Sequence, residues 1–225
     1  MLGEALGSGD ARVVSRARVL AESQLLCLGR HTISGLLTTC GQQDRDWSAS
    51  YRLFECGRVA SEKLFAASRS AVCSLLAEGS PLVAMLDDTL LKKRGRKIAG
   101  AGWRRDPLGP RFTNNLIWAQ RFLQVSAALP ESSDLPSQAR GIPISLVAAP
   151  TPRKPLRKAP PEQWEAYRAE LKASALSRRG AEQIAELRTQ LDRDPGHGGR
   201  QLVVTVDGGY TNATVLKRLP DRVTM

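Results

Sequence analysis

The spacing of apolar residues divides the chain into a helical part and a part rich in strands. Residues 1–79 are predicted to be helical, because apolar positions recur at helical spacing from Ala11 to Leu28. A short second helix is expected over Ile33–Thr39, and a third from about Ser48 to Glu78, weakened at Gly57. Helix, glycine-containing turn and helix are compatible with a DNA-binding helix-turn-helix, and equally with an ordinary helical bundle.

From Pro81 onward, short apolar runs predict a β-sheet. The expected strands are Leu82–Leu86, Ile98–Trp103, Leu116–Leu129, Ile142–Ala149 and Leu202–Val206. One long helix from about Pro161 to Leu191 is expected before the last of these strands, and a short helix over Ala213–Leu219 after it. Strands joined through a long helix to a further strand are typical of α/β domains. We therefore predict a small helical domain over residues 1–79, followed by an α/β domain over residues 80–225.

Charge adds a functional expectation to this architecture. The apolar content of 42% and the charged content of 24% are those of a globular protein, but the net charge is +11 and the isoelectric point is near 10.1. A positive field of this size attracts phosphate polymers such as nucleic acids. The alternative is a basic protein whose arginines carry no such function. Two predicted loops concentrate the charge, the first with Lys92, Lys93, Arg94 and Lys97, the second with Arg153, Lys154, Arg157 and Lys158.

Candidate chemistry lies where two of the apolar runs end. Asp87 and Asp88 follow the first predicted strand, and Asp207 follows the last. Two carboxylates about 4 Å apart repel by roughly 4 kcal/mol at an effective dielectric constant of 20, so both stay ionised only with a cation between them. Mg²⁺ prefers such oxygen ligands and could serve phosphodiester chemistry there. The alternative is structural, with Asp88 capping a turn and Asp207 capping the helix that follows it.

The same residues carry a family resemblance. Ala84-Met-Leu-Asp-Asp-Thr-Leu-Leu-Lys-Lys-Arg-Gly resembles the first acidic motif of the DDE transposases of bacterial insertion sequences. Val204-Thr-Val-Asp-Gly-Gly-Tyr resembles the second acidic motif of this group. Gly29-Arg-His-Thr-Ile-Ser-Gly and Ser50-Tyr-Arg-Leu-Phe resemble the region that precedes the catalytic domain. The resemblance spans about residues 25 to 220, and Asp87 to Gly95 is its strongest part.

The resemblance implies an RNase H-like mixed sheet and cleavage and transfer of DNA strands at insertion-sequence ends, with Mg²⁺ or Mn²⁺ as cofactor. It also implies that Asp88 and Asp207 are the metal ligands and the catalytic residues. Asp87 is the alternative to Asp88. Lys92 or Lys93, together with Arg94 and Lys97, would then contact the phosphates of double-stranded DNA; the alternative for them is a solvated basic turn. Arg153, Lys154, Arg157 and Lys158 of the second basic loop are the other expected DNA contacts. Further partners implied are a second copy of the chain or an intact transposase.

One departure from the family pattern limits the expected activity. The third acid of the family is a Glu beyond the second Asp, and no Glu follows Asp207. We therefore expect a fragment that is incomplete at its C-terminus and inactive alone. A non-catalytic DNA-binding protein that interferes with an intact transposase is the alternative. A metal-dependent phosphatase is a weaker one, because the usual Asp-x-Asp spacing is absent.

Location in the cell is expected to be cytoplasmic. The N-terminus lacks the basic segment and apolar core of a signal peptide, and no apolar run approaches the ~20 residues that span a bilayer. The four cysteines form no Cys-x-x-Cys pair and are expected to be buried free thiols.

Overall fold

The computed structural model of the chain describes residues 10–110, 112–132, 138–194 and 196–225. By its internal contacts the chain divides into two compact units, Met1–Ser68 and Arg69–Met225. The division falls within one helix, Ser61–Leu75, so the two ends of that helix belong to different units. None of the described helices is both long enough and apolar enough to cross a membrane.

From residue 10 onward, the first unit contains three helices and the start of a fourth: α1 (Ala11–Leu26), α2 (Ile33–Thr39), α3 (Ser48–Glu55) and α4 (Ser61–Leu75). Its core consists of Val13, Leu20, Cys27, Leu36, Leu37 and Leu53. The prediction of one helix from Ser48 to Glu78 is wrong, because the chain turns between α3 and α4. Gly57 there has a φ of +58°, a left-handed conformation that glycine adopts without steric strain.

The second unit is built on a mixed six-stranded sheet. Its strands are β1 (Leu82–Lys92), β2 (Ala101–Arg105), β3 (Leu116–Pro130), β4 (Ala139–Ala148), β5 (Leu202–Val206) and β6 (Val223–Thr224). The order is β2-β3-β1-β5-β6, with β4 also paired to β3. The pairs β1–β5 and β5–β6 are parallel, and the pairs that involve β3 are antiparallel. A mixed α/β architecture, as predicted, is confirmed.

The first strand is longer than predicted. β1 continues to Lys92 because its antiparallel pairing with β3 runs as far as Lys92 opposite Ala119. Asp87 and Asp88 therefore lie inside β1, and their predicted place at its end is wrong. The parallel pairing with β5 does stop near them, since its last pair is Leu86 opposite Val206.

The sheet has one buried face and one exposed face, because side chains alternate along each strand. The covered face carries Leu82, Ala84, Leu86 and Asp88 of β1, with Leu123, Val125 and Ala127 of β3 and Val204 of β5. Ile184, Leu187 and Leu191 complete the same core. The open face carries Val83, Met85, Asp87 and Thr89 of β1, and Met85 there is 37% exposed.

The predicted helix from Pro161 to Leu191 is two helices, α5 (Pro161–Ala173) and α6 (Leu176–Asp192). The backbone of Ala175 between them is extended, with φ of −57° and ψ of 136°. No buried residue lies on α5, whereas seven lie on α6. The break thus separates an exposed helix from one that supplies core residues, a difference in burial that the spacing of apolar residues did not indicate.

Smaller differences concern the ends of elements. The second strand begins at Ala101 and not at Ile98, and the last helix, α7, is only Ala213–Leu216. The short strand β6 was not predicted. All four cysteines are free thiols, with Cys27 and Cys73 buried, Cys40 partly buried and Cys56 exposed, so the expectation of burial is wrong for Cys56.

Candidate functional site

The two candidate acids come from adjacent parallel strands. Asp88 lies two residues beyond Leu86 in β1, and Asp207 directly follows Val206, the last residue of β5. Since Leu86 and Val206 are the last pair of the parallel β1–β5 ladder, both acids lie just beyond the point where that pairing stops. The fold thus connects the two predicted site residues through Tyr210, whose hydroxyl donates to Oδ1 of Asp88 and whose backbone N–H donates to the carbonyl oxygen of Asp207.

Asp88 is already engaged by two other side chains. Its Oδ2 lies 3.2 Å from Nε of Arg121, and each of these two side chains is 25% exposed. Its Oδ1 accepts a 3.4 Å hydrogen bond from the hydroxyl of Tyr210. Arg121 lies on β3, two residues before Leu123, which pairs with Asp88. Arg121 had no predicted role, because only the strand pairing brings it to Asp88.

Asp207 organises the turn that follows β5. Its Oδ1 accepts the backbone N–H of Gly209 at 3.0 Å, and its carbonyl oxygen accepts the N–H of Tyr210 at 3.1 Å. The cap of α7 is Asn212, whose side chain accepts the amides of Thr214 and Val215. The structural alternative, in which Asp207 caps this helix, is therefore wrong. Likewise Asp88 lies within a strand and caps no turn.

Tyr210 connects the two acids and has an unusual environment. The side chain is buried, and its ring lies so close to α6 that a Cβ on Gly180 would be 2.8 Å from Cδ1. Burial raises the pKa of Tyr210 strongly, and the negative charges of Asp88, Asp207 and Asp87 raise it further. All three carboxylates thus act on one phenol. The only sequence signal for Tyr210 was its place in Asp-Gly-Gly-Tyr.

Asp87 lies on the opposite face of the sheet from Asp88. It is exposed, and its Oδ1 accepts the backbone N–H of Asp88 at 2.7 Å. The alternation of side chains makes the two neighbouring acids structurally different, because only Asp88 contacts Arg121 and Tyr210.

A divalent cation could be held here by Asp88 and Asp207. Their donors are all carboxylate oxygens, which suit Mg²⁺ and Mn²⁺, and an ion of this kind is commonly held by one or two carboxylates together with water and substrate phosphate. Asp207 is exposed and keeps Oδ2 for such a role. Across the described parts of the chain, no three His, Cys, Asp or Glu side chains form a group that could hold a metal. Asp88 and Asp207 would supply two carboxylates at most, so the remaining ligands of an ion would have to come from water and substrate phosphate.

The predicted DNA-contacting residues fall into two exposed segments and one strand end. Lys92 ends β1, and its Nζ pairs with Oδ2 of Asp106 at 3.0 Å, so this side chain is not free in the loop as expected. Lys93 is partly buried, whereas Arg94 and Lys97 are exposed. In the second segment Arg153, Lys154, Arg157 and Lys158 are all exposed. Nζ of Lys154 lies 5.8 Å from the ring centre of Trp164, on α5.

Comparison with known proteins gives no family for the chain. No protein-family model matches the sequence. No curated protein matches it either.

Proposed function

We propose that this protein cleaves DNA by metal-dependent phosphodiester chemistry of the kind used by the DDE transposases of insertion sequences. The observation that carries the proposal is that Asp88, inside β1, and Asp207, directly after β5, both lie just beyond the last β1–β5 pair and both contact Tyr210. The mixed sheet is compatible with the RNase H-like fold that the two acidic motifs imply.

In this proposal Asp88 and Asp207 hold a Mg²⁺ or Mn²⁺ ion against a phosphate of the DNA backbone. Bound there, the ion would lower the pKa of a water molecule or a 3′-hydroxyl and neutralise charge on the reacting phosphate. The chain supplies the ligands, and it keeps Asp88 oriented through Tyr210 and Arg121. The exposed basic segments hold the DNA by its phosphates, independently of sequence.

The test is a nicking assay on supercoiled plasmid with the full chain in Mg²⁺, in Mn²⁺ and in EDTA. Nicking cuts one strand and does not require the strand transfer for which we expect the chain alone to be inactive. We therefore expect slow nicking with either metal and none in EDTA. Asp88→Asn and Asp207→Asn should each abolish nicking but leave DNA binding intact, because each keeps the shape of the side chain and removes a ligand charge.

Asp221→Asn is the matched control. Asp221 is an exposed carboxylate in the same unit, and its replacement makes the same change in net charge. This variant should nick DNA as the parent protein does. If Asp221→Asn loses nicking to the same degree as Asp88→Asn, or if EDTA has no effect, metal ligation by Asp88 and Asp207 is contradicted.

A second candidate function is DNA binding without cleavage. It is favoured by the ion pair with Arg121, which neutralises Asp88 without any metal. Under this alternative the parent protein and both Asn variants bind plasmid equally well, and none of them nicks it in any metal.

The two exposed basic segments can be compared in the same binding assay. Replacing Arg153 and Lys154 by Gln should weaken binding to a random-sequence duplex and reduce the salt slope by ~2, since each phosphate contact contributes ~1. A double variant at Arg94 and Lys97 should act similarly. Unchanged salt slopes in both variants would exclude these segments as the DNA contacts.

A further inference from the structure

Two arginines lie on the covered face of the sheet, and one of them, Arg121, contacts Asp88. Arg104 of β2 pairs with Ile117 of β3, and Arg121 lies on the same face because it is four residues further along β3. Arg104 is only 9% exposed. Its guanidinium donates a 2.7 Å hydrogen bond from Nη1 to the hydroxyl of Thr151, just beyond β4.

These groups leave an excess of positive charge in a partly buried place. Asp88 forms an ion pair with Arg121, while the side-chain partner of Arg104 is a neutral hydroxyl. Nε of Arg104 has no hydrogen-bond partner among the described residues. Burial lowers the pKa of Arg104, the charge of Arg121 lowers it further, and only Asp88 opposes them. The nearby carboxylate of Asp106 is paired with Lys92.

Buried charge of this kind is costly unless a partner of opposite charge is present. A guanidinium presents its donors in a planar fork, which matches the oxygens of a phosphate. We propose that Arg104 and Arg121 together bind one phosphate group of the DNA backbone, next to Asp88. The identity of the phosphate as DNA rests on the proposed function; the binding of a phosphate group does not.

The first experiment detects the arginines directly and uses neither metal nor DNA. The full chain, labelled with ¹⁵N, is titrated with inorganic phosphate in EDTA, and the side-chain Nε–H resonances of its arginines are followed by NMR. We expect the resonances of Arg104 and Arg121 to shift together and to saturate, whereas that of Arg140 stays in place. Sodium chloride at the same ionic strength should not reproduce these shifts. Screening by salt acts on all exposed charges alike and does not select two arginines.

Variants then test whether the pair is responsible. Arg104→Gln should weaken phosphate binding about tenfold or more, since a hydrogen bond to a charged group is lost. Thr151→Val keeps both charges and should weaken it by only about threefold, because it frees the guanidinium that the hydroxyl orients. Arg140→Gln is the matched control, an exposed arginine of the same sheet in an ion pair with Glu131, and should have no effect.

The outcomes separate this site from the proposed catalysis. If phosphate leaves both arginine resonances unmoved, or chloride moves them equally, the phosphate site is wrong whatever the nicking assay gives. If phosphate binds but Arg104→Gln and Thr151→Val bind DNA as tightly as Arg140→Gln does, the site exists and its ligand is not the DNA backbone. Weaker binding of both phosphate and DNA in Arg104→Gln supports the proposal, even if no nicking is found.

Discussion

The two faces of the sheet place neighbouring residues of β1 in opposite environments. On the covered face, Leu86 is 1% exposed and Asp88 contacts Arg121 and Tyr210. On the open face, Met85 is 37% exposed and Asp87 contacts only the backbone of its neighbour among the described hydrogen bonds. Two acids that are neighbours in β1 therefore have different surroundings. Asp88 belongs to a charged cluster, whereas Asp87 is an exposed side chain. The comparison explains why Asp88 is the better candidate ligand, although the sequence places both acids in one motif.

The largest expected effect concerns the apolar residues that define the two faces. Leu86→Ala should lower the free energy of unfolding by about 2–5 kcal/mol, because it leaves a cavity in the core. Met85→Ala should lower it by less than about 1.5 kcal/mol, since this side chain already contacts water. Urea unfolding of both variants measures the difference. Equal losses would mean that the open face is covered in solution.

Next in size is the packing of Tyr210 against α6. A Cβ at Gly180 would overlap the Tyr210 ring, so the overlap in Gly180→Ala should lower the free energy of unfolding by about 1–3 kcal/mol. The higher helix propensity of Ala should offset up to about 1 kcal/mol of this loss. Gly199→Ala is the control, because its Cβ would have no heavy atom within 4 Å. It should change the stability by less than about 0.5 kcal/mol. If both variants behave alike in urea unfolding, Tyr210 does not pack against Gly180.

Local sequence patterns predicted the helices and strands, whereas the pairing of strands determines which residues come together at the candidate site. The strand Leu202–Val206 and the helix Ile33–Thr39 have the predicted bounds, because a short apolar run between polar residues and a Thr cap are local signals. The length of β1 was not predictable in this way, since β3 extends it past two acids that rarely lie inside strands. The break near Ala175 has no Gly or Pro to mark it.

The candidate site shows the same division. Asp88, Asp87 and Asp207 were identified from the ends of apolar runs and from motif resemblance. Arg104 and Arg121 could not be, because an arginine in a strand normally indicates an exposed position. Their proximity to Asp88 depends on the register of β3 with β1 and β2, which no local pattern specifies.

A smaller effect should distinguish the two neighbouring acids by stability alone. In EDTA, Asp88→Asn should lower the free energy of unfolding by about 1 kcal/mol, because it leaves Arg121 without its ion-pair partner; partial exposure keeps the loss small. Asp87→Asn should change it by less than about 0.5 kcal/mol. Chemical unfolding at neutral pH is the measurement. A greater loss for Asp87→Asn would reverse the assignment of the two faces.

The smallest effect is a dependence on alkaline pH that belongs to Tyr210. Because its pKa is raised in the folded protein, the folded state keeps a proton that the unfolded state loses above its ordinary pKa of about 10. The stabilisation is therefore complete below that pH and falls as pH rises above it.

Tyr210→Phe should lower the free energy of unfolding by about 0.5–1 kcal/mol at neutral pH, because the hydrogen bond to Asp88 is lost. Unfolding measured from neutral to alkaline pH should show a shallower decline for this variant than for the parent protein. Tyr51→Phe, at an exposed tyrosine, should follow the parent. A parallel decline in all three proteins would show that burial and the surrounding acids do not keep the Tyr210 phenol protonated.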